Sequence, residues 1–150
     1  MSEHKISLNW KRETPDFTYE TYERSHRVKF EGGHEMEASA APEYFGAAEN
    51  ANPEEMLAAA AASCHMLTFL AIAAKSRLTV DAYEDHAVAV LDKRADGRMA
   101  VTKIVLHPKI SFSGSEIPDG HKLKELHEKS HRHCFIANSL NFPVTVEDVD

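Results

Sequence analysis

Two cysteines, Cys64 and Cys134, are the only thiols in this 150-residue chain. Cys64 lies within NPEEMLAAAAASCHMLTFLAIAAK (Asn52 to Lys75), among alanines and bulky apolar side chains, while Cys134 follows a histidine-rich stretch and precedes Phe135-Ile136-Ala137. A cysteine among apolar residues is a small core filler unless its thiolate, the nucleophilic form, is stabilised. Redox chemistry at Cys64 therefore requires a positive partner, and the candidates are Arg24, Arg27, His26, His65 and Lys75. Arginine suits the task because it stays charged when desolvated. An arginine in an apolar cavity needs a carboxylate to hold it, and Glu54 and Glu55 stand on the same segment as Cys64. A sulfenic acid formed at Cys64 is captured by a second thiol in reach, and Cys134 is the available one.

The elements that must position these groups follow from periodicity. Ile6, Leu8 and Trp10 alternate with polar residues as in a half-buried strand. Phe17 to Phe30 is rich in β-formers and ends at the Gly32-Gly33 turn, with a further short strand over Glu35 to Ser39. Asn52 is a suitable N-cap for a long helix, with Pro53 at its first position and Glu54 and Glu55 in its first turn. Period two returns over Thr79 to Leu91. A hairpin signal at Asp96-Gly97 leads into a strand over Ala100 to Phe112, interrupted at Pro108. A second, amphipathic helix follows Pro118-Asp119, Cys134 falls just beyond it, and Val144, Val146 and Val149 form a last strand. The order β-β-β-α-β-β-α-β predicts one α+β domain over residues 1–150.

Bulk composition excludes several classes. A net charge of −7 without any basic run argues against nucleic acid or an anionic membrane surface as a partner. Met56 to Ala74 carries no formal charge, but it is rich in alanine and has Ser63, His65 and Thr68 at its middle. It is expected to be a core helix and not a membrane span. The charged and aromatic first thirty residues do not resemble a signal peptide, and a cytoplasmic location is expected. Two cysteines in such a chain are not a disulfide framework.

The long helix poses a covering problem. Leu57, Ala60, Cys64, Leu67, Ala71 and Ala74 share one stripe, while Phe69, Leu70 and Ile72 make other faces apolar. One thin sheet covers one side, so burial nearly all round predicts a second copy of the chain, a homodimer. Spacing agrees. Glu54 and Cys64 are ten residues apart, about 15 Å along a straight helix, too far for one arginine to touch both. Either the helix breaks near its start, or carboxylate and thiol come from different copies.

NPEEMLAAAAASCHM resembles the Asn-Pro-Glu-Glu-Leu…Ser-Ala-Cys helix of the OsmC/Ohr family of thiol-dependent hydroperoxide reductases, and HRHCFIANSL is similar to that family's second-cysteine segment. The resemblance implies an OsmC-like fold, curved antiparallel sheets around a long central helix, in an intertwined homodimer with active sites at the interface. It implies that Cys64 attacks the peroxide, Cys134 resolves it and Glu54 positions an arginine. YERSH makes that arginine Arg24, with Arg27 behind it. His65 stands where well-studied branches carry phenylalanine, and Phe135 where they carry proline, as in a less characterised OsmC-like branch. Cys134 displaces hydroxide from the sulfenic acid, an external dithiol resets the pair, and no metal or organic cofactor takes part. Apolar walls from Met56, Leu67 and Phe135 favour an alkyl hydroperoxide over hydrogen peroxide.

Two other readings compete. His127, His131, His133 and Cys134 form H-x-x-x-H-x-H-C, a spacing able to bind metal, although surface histidines on a solvated helix are the usual meaning of such a run. The other is a catalytically silent binding domain whose cysteines only pack.

Overall fold

A computed structural model describes residues 1–147; the expected strand position Val149 lies outside them. The chain divides into two compact units, Met1–Met56 and the part from Leu57 onward.

The N-terminal unit is an antiparallel meander of β1 (Ile6–Asn9), β2 (His26–Phe30) and β3 (Glu35–Ala38). The turn between β2 and β3 closes through Phe30 and His34, with Gly33 at φ 89°, a conformation that favours glycine. Of the expected Phe17–Phe30 strand only His26–Phe30 pairs; residues 17–25 instead fold into turns. There Trp10, Phe17 and Tyr22 pack ring to ring, and the Trp10 indole N–H donates to the Glu23 carbonyl at 2.7 Å. The alternation at Ile6, Leu8 and Trp10 does not produce a half-buried strand. All three are exposed.

Helix α1 (Pro53–Lys75) begins with a reciprocal cap. Asn52 Oδ1 accepts the Glu55 N–H at 2.9 Å, and Glu55 Oε2 accepts the Asn52 N–H at 3.0 Å, with Pro53 between them at the first helical position. The helix is long and apolar enough to cross a membrane by length and composition. Its Ala58, Ala61, His65, Phe69 and Ala73 are buried.

From Leu57 onward the chain adds β4 (Thr79–Asp85), β5 (Val88–Lys93), β6 (Met99–Leu106), β7 (Pro108–Ser113), α2 (Gly120–His133), α3 (Phe135–Ser139) and β8 (Val144–Val146). The two expected strands around the Asp96-Gly97 hairpin are therefore four. β4 pairs with β7, and β5 with β6, both antiparallel, and β8 joins β6 in parallel. The break is a corner: Asp85 Oδ1 accepts the His107 N–H at 2.8 Å, and Pro108, which has no N–H to give a ladder, opens β7 opposite Asp85.

One stripe of α1 joins two core clusters. Ala61 packs with Ile104, Leu106 and Val144 on the β5–β6–β8 side; Phe69 and Ala73 pack with Leu126 of α2 and with Val80, Tyr83, Ile110 and Phe112 of β4 and β7. Within one copy of the chain α1 is covered on one side only. The stripe that carries Cys64 has Ala60, Leu67, Ala71 and Ala74 exposed, because both clusters lie on another face of the helix.

Candidate active site

Cys64 and Cys134 are free thiols, and the fold brings them together. Cys64 is half-buried at mid-helix, where Thr68 Oγ1 donates to its carbonyl at 2.8 Å. Cys134 is 1% exposed and sits at a junction, ending α2 and capping α3, with its Sγ accepting the Ala137 N–H at 3.4 Å. Burial pushes the Cys134 thiol above its ordinary value; the Ala137 amide opposes this, and the Cys64 thiol, within hydrogen-bonding reach, adds to the rise. At neutral pH Cys134 is therefore held as the protonated thiol.

His65 is 1% exposed and His127 4%. His65 Nε2 lies 3.0 Å from His127 Nδ1, and the rings are nearly parallel, 8° apart. His127 also packs on Phe69, with ring centroids 4.7 Å apart, and its Nε2 is buried without a hydrogen-bond partner. Both histidines are pushed down to about 4, first of all by burial, with His127 and His131 adding to the effect at His65. The reading of α2 as a solvated helix holds for His131 and His133 but misplaces His127. Its signal was the stripe Leu123, Leu126, His127, Ser130 and Cys134, which runs at helical spacing into the second thiol. The proposed ligand set His127, His131, His133 and Cys134 does not converge, since His127 Nδ1 is engaged by His65. Among the described residues no group of three or more His, Cys, Asp or Glu side chains is placed to hold a metal.

The candidate arginines and Glu54 lie in the N-terminal unit. Arg24 is 7% exposed, its guanidinium 3.8 Å from the Tyr22 ring centroid and also facing the Tyr19 and Phe45 rings. It donates to the Tyr22 carbonyl at 2.5 Å and to the Tyr19 carbonyl. Arg27 is exposed on β2 and is held by Glu37 at 2.8 Å. Of the two arginines, Arg24 is thus the buried one, set among aromatic rings. It lines a pocket of about 370 Å³ with Trp10, Phe17, Tyr22, His26, Ser39, Ala40 and Pro53. Glu54 is the next residue of α1, half-buried in its first turn. Met56, Leu67 and Phe135 do not line this pocket. Met56 is half-buried, whereas Leu67 and Phe135 are 60% and 81% exposed. The aromatic walls escaped the sequence reading because Trp10, Phe17 and Tyr22 show no period.

The OsmC-like protein family model matches residues 46–147, which include both thiols and the paired histidines. Among curated proteins no match is found. The OsmC-like protein of unknown function from Vibrio cholerae O1 biovar eltor is similar at 43% identity over 98% of this chain and 99% of that one, with a TM-score of 0.94. Two more distant structures share the fold. One is the organic hydroperoxide resistance protein OsmC of Legionella pneumophila, at 15% identity, a TM-score of 0.72 and 97% coverage of each chain. The other is the organic hydroperoxide resistance protein OhrB of Bacillus subtilis, at 20%, 0.67 and 97% of each. With most of its length matched by the family model and a solved structure superposing over nearly all of it, the chain belongs to the OsmC-like protein family.

Proposed function

We propose that this protein is a cytoplasmic thiol-dependent peroxidase that reduces organic hydroperoxides and so defends against oxidative stress. The observation that carries the reading is the unequal thiol pair. Cys64 is half-buried and able to meet a substrate, while Cys134 is buried, protonated and within reach of it. That division of labour suits a peroxidatic Cys64 and a resolving Cys134. Cys64 thiolate attacks the O–O bond, the alcohol leaves, and the sulfenic acid condenses with Cys134 to a disulfide with loss of water. An external dithiol then reduces the disulfide.

Arg24 stabilises the thiolate, and Glu54 positions Arg24. Because α1 runs unbroken from Pro53 to Lys75, about 15 Å of helix separates Glu54 from Cys64. The alternative of a break near the helix start is removed, and a homodimer that supplies the two groups from different copies is the arrangement we favour. The exposed apolar stripe of α1 around Leu67, with exposed Phe135, is the surface for that second copy, and Leu67 and Phe135 wall the site there. The aromatic lining of the Arg24 pocket favours an alkyl or aryl hydroperoxide over hydrogen peroxide. The test is stopped-flow consumption of cumene hydroperoxide by the reduced protein, with free thiols counted before and after one equivalent. Loss of both thiols in the wild type, with none in Cys64→Ser, is expected; equal slow reaction of the two proteins overturns the reading.

A further inference from the structure

We propose that the His65–His127 hydrogen bond is the positioning element that holds the two thiols at bonding reach, a role that rests on the redox reading above. His65 directly follows Cys64 on α1, and His127 lies seven residues, about two helical turns, before Cys134 on the same stripe of α2. The contact between the rings thus ties together the two helices that lead to the thiols.

A tie of this kind is needed because a disulfide tolerates little displacement: the Cα atoms of its two cysteines sit within a window of roughly 4.4–6.8 Å. Much of the remaining contact between these helices is apolar, Leu126 against Phe69 and Ala73. Apolar packing is non-directional and permits small slides and rotations. A hydrogen bond of 3.0 Å between two buried, nearly coplanar rings meeting edge to edge fixes both register and rotation at the position next to Cys64. His65 itself lies on the stripe between Ala61 of one cluster and Phe69 of the other, so the pair occupies the gap between the two cores.

The pair works in its neutral form, one ring donating and the other accepting. Burial disfavours an imidazolium at either ring. α1 contributes Cys64. α2 contributes His131, which acts against charge on His65, and Lys124 and Glu128, which with His127 line a pocket of about 350 Å³. From β4 comes Tyr83, on the same Phe69 ring that His127 packs against; burial and Asp85 hold its hydroxyl protonated.

Equilibration with mixtures of oxidised and reduced glutathione tests this without any peroxide. Cys64 and Cys134 give up two protons and two electrons to one oxidised glutathione, forming one internal disulfide and releasing two reduced glutathiones. The informative variants exploit reach. The amide of His127→Asn falls near the Nδ1 position and keeps the bond to His65, whereas that of His127→Gln falls near Nε2 and does not. We expect the equilibrium constant for the internal disulfide to drop about fivefold or more in His127→Gln and His127→Ala, the worth of one net hydrogen bond. In His127→Asn it stays within about twofold of the wild type. Imidazole nitrogen shifts of His65 provide the second readout, with the bonded signature retained in His127→Asn and lost in His127→Gln. Equal constants for Asn and Gln variants overturn the positioning role while leaving the thiol pair intact. A wild type that forms no internal disulfide overturns this proposal and the redox reading together.

Discussion

His65 and His127 meet edge to edge in nearly one plane with Nε2 and Nδ1 3.0 Å apart, both enclosed by protein and both held near 4 instead of 6.5. In the folded state these groups bind protons less readily than in the unfolded chain. Their contribution to stability is complete above about pH 6.5 and is lost as the pH falls from there toward 4, because the unfolded state then gains protons that the folded state refuses. The expected loss is on the order of 3 kcal/mol for the ring that takes the first proton. Melting temperatures between pH 7 and pH 4 check this: the wild type falls steeply over that window, and a His65→Phe variant falls less.

Cys64→Ser is expected to abolish peroxide consumption. Cys134→Ser is expected to complete one turnover and then stall, its Cys64 advancing from sulfenic to sulfinic acid under excess hydroperoxide. Mass spectrometry of the reacted variants distinguishes these outcomes, and recovery of activity with dithiols separates the resolvable from the overoxidised form.

Arg24 and Arg27 are three residues apart and differ in setting. Arg24→Met removes a guanidinium stacked on Tyr22 and bound to two carbonyls. The rate constant with cumene hydroperoxide is expected to fall at least tenfold, about 1.4 kcal/mol of barrier. Arg24→Lys loses both the stacking and the fork geometry and does not restore it. Arg27→Ala removes only an exposed pair with Glu37 and is expected to change stability by less than about 0.5 kcal/mol and leave the rate unaltered.

Leu67 is 60% exposed on the open stripe of α1. If a second copy covers that stripe, Leu67→Glu places a charge in the interface and raises the dimer dissociation constant by at least tenfold, about 1.4 kcal/mol. Sedimentation equilibrium reads this directly, with the surface change Lys93→Ala as a control expected to show no shift.

Phe69 is fully buried and touches the rings of Tyr83, Phe112 and His127. Phe69→Ala is expected to cost about 3–5 kcal/mol in urea unfolding, from lost burial and the cavity left behind.

Much of this protein was written locally. The Asn52–Glu55 capping box, Pro53, the Asp119 cap and the Asp96-Gly97 hairpin act within a few residues, so type and spacing alone placed α1, α2 and the turn that reverses the strands. The two cysteine segments were legible for the same reason. Pairing between distant segments was decided only by the tertiary structure. Period two cannot say that Thr79–Leu91 turns a corner at Asp85, nor that β8 runs parallel to β6. A histidine carries no burial signal of its own, so His65 and His127 read as a possible cation and a surface residue until packing closed around them and made a neutral pair. The contact of the two sulfurs is likewise a property of packed helices, because sequence separation sets no distance once the chain has folded back on itself.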